Sequence, residues 1–334
     1  MNNQVYIKPS KLFRFISPIL KPYARRVEYT FKRYRSNKGR KYYPCMNMIF
    51  LAIWMSLSNK GQRATDRNLR VNDRLALELG FKDNTPKQPT ISRFVDRMGK
   101  AGIAMAMRLL VIHLVERGII NKKHLVIDST YLKQYCKNDN DAKIGYSKKY
   151  GFYKGYKIHI IVDADTELPI VMEVTPANIH DSKVFKRLFV RVNGYSIIEA
   201  DSAYDSREIR DYIIDNNAIP LIDYNPRRGK KRKKISIKRY TVEHCNSRIL
   251  DLLSSIYRVK GLFKTKVYAY LSAIALLAIS IVADAMNVRD MIRCYKRLIV
   301  SIGVFWMSLL RILDNYIFED ILFFLLYVGI IIYI

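Results

Sequence analysis

The stretch from Lys123 to Tyr257 constrains this chain most, because short apolar runs alternate there with amphipathic segments of helical period. Apolar runs of roughly four to eight residues bounded by turn formers read as strands. Five qualify: HLVIDST (124–130), GYKIHIIVDAD (155–165), LPIVMEVTP (168–176), YSIIEAD (195–201) and AIPLIDYN (218–225). Only Asp165-Thr166-Glu167 separates the second from the third, so these two are expected to form a hairpin. HDSKVFKRLFVRV, YDSREIRDYIIDNN and TVEHCNSRILDLLSSIY carry helical spacing. The order β-β-β-α-β-α-β-α predicts an α/β fold, a mixed five-stranded sheet flanked by helices.

The part before it reads as helical. Residues 1–43 are basic and aromatic, which fits either an arm along a DNA backbone or a solvated charged helix. PCMNMIFLAIWMSLS predicts a buried helix, and QRATDRNLRVNDRLALELG an amphipathic one ending at Gly80. In KDNTPKQPTISRFVDRMGKAG, Thr90 or Ser92 is placed to cap a helix carrying Arg93 and Arg97. Two helices around such a turn are compatible with a helix-turn-helix reader of DNA, as with any helical hairpin. The expected organisation is a basic arm plus a helical domain compatible with DNA binding (1–118), an α/β domain (119–290) and an apolar extension (291–334).

Charge narrows the partner. With 58 Lys and Arg against 29 Asp and Glu, the formal net charge is +29, which favours a polyanion. Cys45, Cys136, Cys245 and Cys294 show no CxxC and no zinc-finger spacing, so neither a zinc site nor a disulfide framework is expected. The N-terminus has no long apolar core of the signal-peptide kind, and a cytoplasmic, nucleoid-associated location is expected. Val267–Ala283, residues 298–310 and residues 321–334 are uncharged or nearly so. Each falls short of the roughly 20 residues a bilayer span needs, so the first is expected to be a core helix and membrane anchoring is disfavoured.

Two of the apolar strands end in an acid, Asp128 after LVI and Asp201 after SIIEA. On adjacent parallel strands both would emerge at the carboxyl edge, where α/β sheets place their sites. Two such carboxylates repel unless a cation lies between them, and hard oxygen donors suit Mg²⁺ or Mn²⁺. Asp163 is explained by the hairpin turn it opens. Glu243 is the candidate third acid, on a helix face shared with Arg239, Asn246, Ser247 and Leu250; taken alone, it reads first as a glutamate near the positive end of a helix dipole. The basic run 225–239, with Lys231, Arg232, Lys233 and Lys234, can be read as a solvated linker, but its place immediately before the third acid argues for phosphate contact.

The strings IDST, GYKIHIIVDADTELPI, VTPANIHDS, ADSAYDSREIR and RYTVEHCNSR, in this order, resemble the catalytic domain of DDE transposases of bacterial and archaeal insertion sequences. The likeness covers roughly residues 120–285, and TPKQPTISRF is similar to those proteins' N-terminal region. It implies an RNase H-like fold with Asp128, Asp201 and Glu243 as catalytic acids holding two Mg²⁺ or Mn²⁺ ions. It also implies Tyr204, Arg207 and Arg239 as accompanying DNA-contacting residues. Where the family usually has Tyr and Lys around the third acid, this chain has Ser236 and Leu250. Arg248 points about 140° from Glu243. His180-Asp181 also matches, and helix capping by Asn178 or Asp181 is preferred to metal ligation. The implied function is binding of an element's terminal inverted repeats, metal-dependent cleavage and strand transfer. The implied partners are transposon-end and target DNA and further copies of the chain as a dimer or larger assembly, with no small-molecule substrate. A catalytically lapsed transposase and a non-enzymatic basic DNA-binding protein are the competing readings.

Overall fold

The computed structural model describes residues 9–32, 43–82, 84–147, 151–225, 237–254 and 256–294. Lys231–Lys234, Ser236 and the apolar stretches 298–310 and 321–334 lie outside them.

The strands are β1 (His124–Lys133), β2 (Lys143–Ser147), β3 (Gly151–Asp163), β4 (Pro169–Pro176), β5 (Ile197–Ala200) and β6 (Ile219–Ile222). Across the sheet the order is β4-β3-β1-β5-β6, with β2 also paired to β3. β3 runs antiparallel to both β1 and β4, while β5 runs parallel to both β1 and β6. Three antiparallel strands followed by two parallel ones are the arrangement of an RNase H-like sheet. Continuous burial through Leu125–Ile127 and Ile158–Val162 reflects helices on both faces.

The sixth strand, β2, pairs with Gly151–Gly155 of β3 just beyond the point where β4 stops opposite Tyr156. Gly145 makes this abutment possible: a Cβ there would come within 2.6 Å of the Ala177 carbonyl oxygen. β2 escapes a periodicity search because Ile144 and Tyr146 are exposed.

Helices α7 (Asp181–Phe189) and α8 (Arg207–Asp215) follow β4 and β5, and α9 (Arg239–Leu253) follows β6. Ahead of the sheet lie α1 (Pro9–Lys32), α2 (Cys45–Leu57), α3 (Gln62–Val71), α4 (Asp73–Glu78), α5 (Gln88–Lys100) and α6 (Ala104–Glu116). Within α1, Leu12, Ile16, Leu20, Tyr23 and Val27 form a buried stripe at helical spacing. The Tyr23 hydroxyl donates to the Met98 carbonyl at 2.7 Å. Residues 9–32 are thus a core helix rather than a loose arm.

The helix expected to end at Gly80 is two helices, broken at Asn72, whose side chain accepts from the Leu75 amide at 2.9 Å. Nor do Thr90 and Ser92 cap α5. Its N-terminal Gln88 amide donates instead to Asp66 of α3 at 3.0 Å, and Arg70 grips the same carboxylate at 2.8 Å. A carboxylate from another helix does the capping that a local hydroxyl was expected to do. Arg93 of α5 is exposed and Arg97 is half-buried.

The last long helix, α10 (Leu262–Ala285), is apolar and long enough to cross a bilayer, yet its apolar window is entirely buried. It packs against α1, α2, α5, α6, α9 and β4.

Candidate active site

Register places three acids in a row. Ile127 of β1 pairs with Ala200 of β5, and Ala200 pairs with Ile222 of β6. The next residue on each strand is Asp128, Asp201 and Asp223. Their positions therefore share one level across three adjacent parallel strands, at the edge where such strands present their sites. Asp223 continues the ladder by donating its amide to the Ala200 carbonyl at 3.2 Å. The sequence carried this third step from apolar residue to Asp in PLID, on the same pattern as LVID and IIEAD.

Backbone amides serve the first two carboxylates: Ser129 donates to Asp128 at 2.7 Å, and Ala203 to Asp201 at 2.9 Å. These bonds do not offset burial. Asp128 is pushed up to about 7, by desolvation first and by the Asp201 charge second. Asp201 is also raised, again chiefly by desolvation. Arg239 is the cation that opposes both shifts.

Arg239 and Glu243 stand one turn apart on α9, on the expected shared face. One guanidinium nitrogen of Arg239 is 3.5 Å from the Glu243 carboxylate and another is 3.6 Å from Asp223. Glu243 is 60% exposed and is not gathered with the two aspartates. Among the described residues no group of three or more His, Cys, Asp or Glu side chains closes around one metal position. The expected three-acid ligand set is therefore assembled only as far as Asp128 and Asp201. That pair fits a divalent cation: its donors are carboxylate oxygens, it is partly buried, and Arg239 offsets only part of the upward shift.

The start of α9 is fixed by a residue that sequence reading missed. Glu199 of β5 is fully buried and accepts from the amides of Ile237 at 3.0 Å and Lys238 at 2.8 Å. His124 approaches its other oxygen at 2.7 Å. Lys238 adds an ion pair to Asp165 at 2.7 Å. Within α9, Arg248 is buried, donating to the Glu167 carbonyl at 2.7 Å and its carboxylate at 3.0 Å. It is thus committed to the core and does not stand in for the usual lysine. Leu250, at that lysine's position, packs against the core.

The remaining candidates separate. Tyr204 was expected to contact DNA, but it is fully buried beside Phe185 and its hydroxyl has no hydrogen-bond partner among the described residues. It lines the site from within. Arg207 is 95% exposed, with a long i,i+4 approach to Asp211 at 3.6 Å. At the start of α7 the cap is His180, which accepts from the Ser182 amide, and neither Asn178 nor Asp181. The Asp181 carboxylate instead takes Lys157 at 3.0 Å and lies 3.5 Å from the buried His159. Burial holds that imidazole down at about 4, hence neutral. Asp163 bonds to Thr166 and the Lys122 amide, as its place at a turn required.

A family model described as a transposase DDE domain matches residues 120–297. No curated protein sequence matches the chain. Among solved structures, a piggyBac transposase synaptic complex with hairpin DNA overlaps 86% of this chain and 78% of its own, at 12% identity and a TM-score of 0.38. A Mos1 mariner paired-end complex with Mn overlaps 80% and 87%, at 11% identity and a TM-score of 0.27. The Drosophila P element transposase strand transfer complex overlaps 84% and 70%, at 13% identity and a TM-score of 0.27. At these levels the overlaps assign no role to any residue of this chain.

Proposed function

The chain belongs to the transposase DDE-domain family, and from that premise we propose that it cuts DNA at the terminal repeats of a mobile element and joins the freed ends to target DNA. The observation that carries the reading is the pair of partly buried aspartates at one level of adjacent parallel strands, whose like charges favour a cation between them. Asp128 and Asp201 would hold the metal, with Glu243 as the third acid from α9. Two Mg²⁺ or Mn²⁺ ions bound there would activate the attacking hydroxyl and stabilise the leaving oxygen.

The chain's own residues supply the rest. Glu199 fixes the start of α9, so Arg239 and Glu243 face the sheet edge at a set height. Arg207, Arg93 and Arg97 are proposed to take DNA phosphates, and so are Lys231, Arg232, Lys233 and Lys234. Each phosphate neutralised steepens the salt dependence of binding. Action on two ends requires at least a dimer on DNA. Residues 1–118 are proposed to recognise the ends and residues 119–290 to carry the chemistry.

The test is Mg²⁺-dependent cleavage of a duplex bearing the element's end. Asp128→Asn is expected to abolish cleavage while binding persists, and undiminished cleavage by that variant would end the proposal.

A further inference from the structure

Asp223 has no role in the chemistry so far, although it stands level with the two acids that do. It is 8% exposed, and the backbone around it is held on both sides. Arg210 donates to the Ile222 carbonyl at 2.8 Å before it, and the Asn225 amide donates to Asp205 at 2.8 Å after it. Arg210 itself is locked to Asp205 at 2.9 Å and lies over the Tyr224 ring. A buried carboxylate on so firmly held a segment keeps its position. Arg239 lies between this carboxylate, at 3.6 Å, and that of Glu243, at 3.5 Å. Among the described residues its Nε is buried without a partner, and the guanidinium is oriented by its two terminal nitrogens.

Resting on the reading above, we infer that Asp223 is a positioning residue: it holds Arg239 off the Asp128–Asp201 pair and so sets how tightly that pair takes a divalent cation. The three aspartates present a row of negative charge on which one guanidinium has several acids to choose from. Drawn onto Asp128 and Asp201, it would compete with a metal ion for them. Drawn to Asp223, it offsets part of their repulsion and leaves their oxygens open. Asp223 then acts through Arg239, and its effect vanishes once Arg239 is neutral.

Mn²⁺ binding to the full-length protein without DNA tests this, with free Mn²⁺ read by electron paramagnetic resonance. Asp223→Asn is expected to weaken Mn²⁺ binding roughly fivefold, within the range of couplings in a charged network. Arg239→Gln is expected to tighten it, and the double variant should match Arg239→Gln alone. Asp223→Glu should stay within about twofold of the parent, on the same scale of coupling. Equal weakening by Asp223→Asn in both backgrounds would mean that Asp223 acts directly, which overturns the inference. Should Asp223→Asn not fold, Arg239→Gln decides alone, since unchanged or looser Mn²⁺ binding removes the competing cation. Asp128→Asn separates the two proposals. If it leaves Mn²⁺ binding at the parent level, the active-site reading fails and this inference falls with it. If it abolishes binding while the cycle is additive, only this inference fails.

Discussion

Two desolvated aspartates in this protein meet opposite surroundings. Asp284, near the end of α10, lies between Arg117 at 2.9 Å and Arg289 at 2.6 Å. Although burial alone would raise its carboxyl, the two arginines bring it below the usual value. Asp128 meets a second acid, with Arg239 only opposing at a distance, and is pushed up to about 7. Asp139 resembles Asp284 in this respect: it is buried, yet the Gly261 amide and the Tyr156 hydroxyl bring it down. A folding chain can evidently satisfy a buried acid. Asp128 and Asp201, side by side with Arg239 opposing their shifts only in part, are the pair proposed above to take a cation.

The contrast can be broken at either end. The largest effect belongs to Asp128→Asn or Asp201→Asn, each expected to lower metal-dependent cleavage by a factor on the order of 10³ or more. In metal-free buffer at pH 8, Asp128→Asn should also melt higher than the parent. The sign follows from linkage. A folded-state value above the unfolded 3.8 means that the native protein binds more protons between about pH 4 and 7, so its stability falls as pH rises through that window. The gain should shrink as pH approaches 4, and a variant less stable at pH 8 would contradict the comparison.

At the other end, Asp284→Asn should destabilise by about 1–2 kcal/mol, a discounted figure because both arginines are more than half exposed. Its lowered carboxyl gives the opposite pH response: stability present above the unfolded value of 3.8 is lost as pH falls through the folded one. Thermal melts from pH 7 to 3 measure both signs.

Glu199→Gln sharpens the contrast from within the site. It weakens a carboxylate that fixes the start of α9, and cleavage should slow about tenfold, the order expected when a small displacement spoils alignment. End binding should persist, so a pure binding defect would argue against a positioning role. The smallest effect is expected at Arg207, whose exposed side chain leaves stability unchanged. Arg207→Gln should lower the slope of log affinity against log salt by about one.

Much of this fold could be read in the sequence, because buried strands are written as runs of Val, Ile and Leu and bounded by turn formers. All five expected strands exist with edges shifted by a few residues. What escaped depends on contacts far along the chain. β2 is short and exposed on one face, and it exists because β3 extends past the end of β4. The cap of α5 comes from Asp66, 22 residues earlier. Glu199 could be placed in a strand, but its role depends on amides 38 and 39 residues later. Asp223 is different. Its signal was the same as that of Asp128 and Asp201, and only the register across three strands shows that the three belong together.

Helix α10 has a consequence for how the molecule comes apart. Its sides face α1, α2, α5 and α6 from the chain's beginning, as well as α9 and β4 from the sheet region. The part of the chain that carries the sheet thus supplies the central pillar of the helical part. Excising residues 1–118 would bare that pillar over much of its length, a large continuous apolar surface that invites aggregation. The molecule should therefore melt in one calorimetric transition, and a nick in the segment joining α6 to β1 should leave two pieces that stay associated.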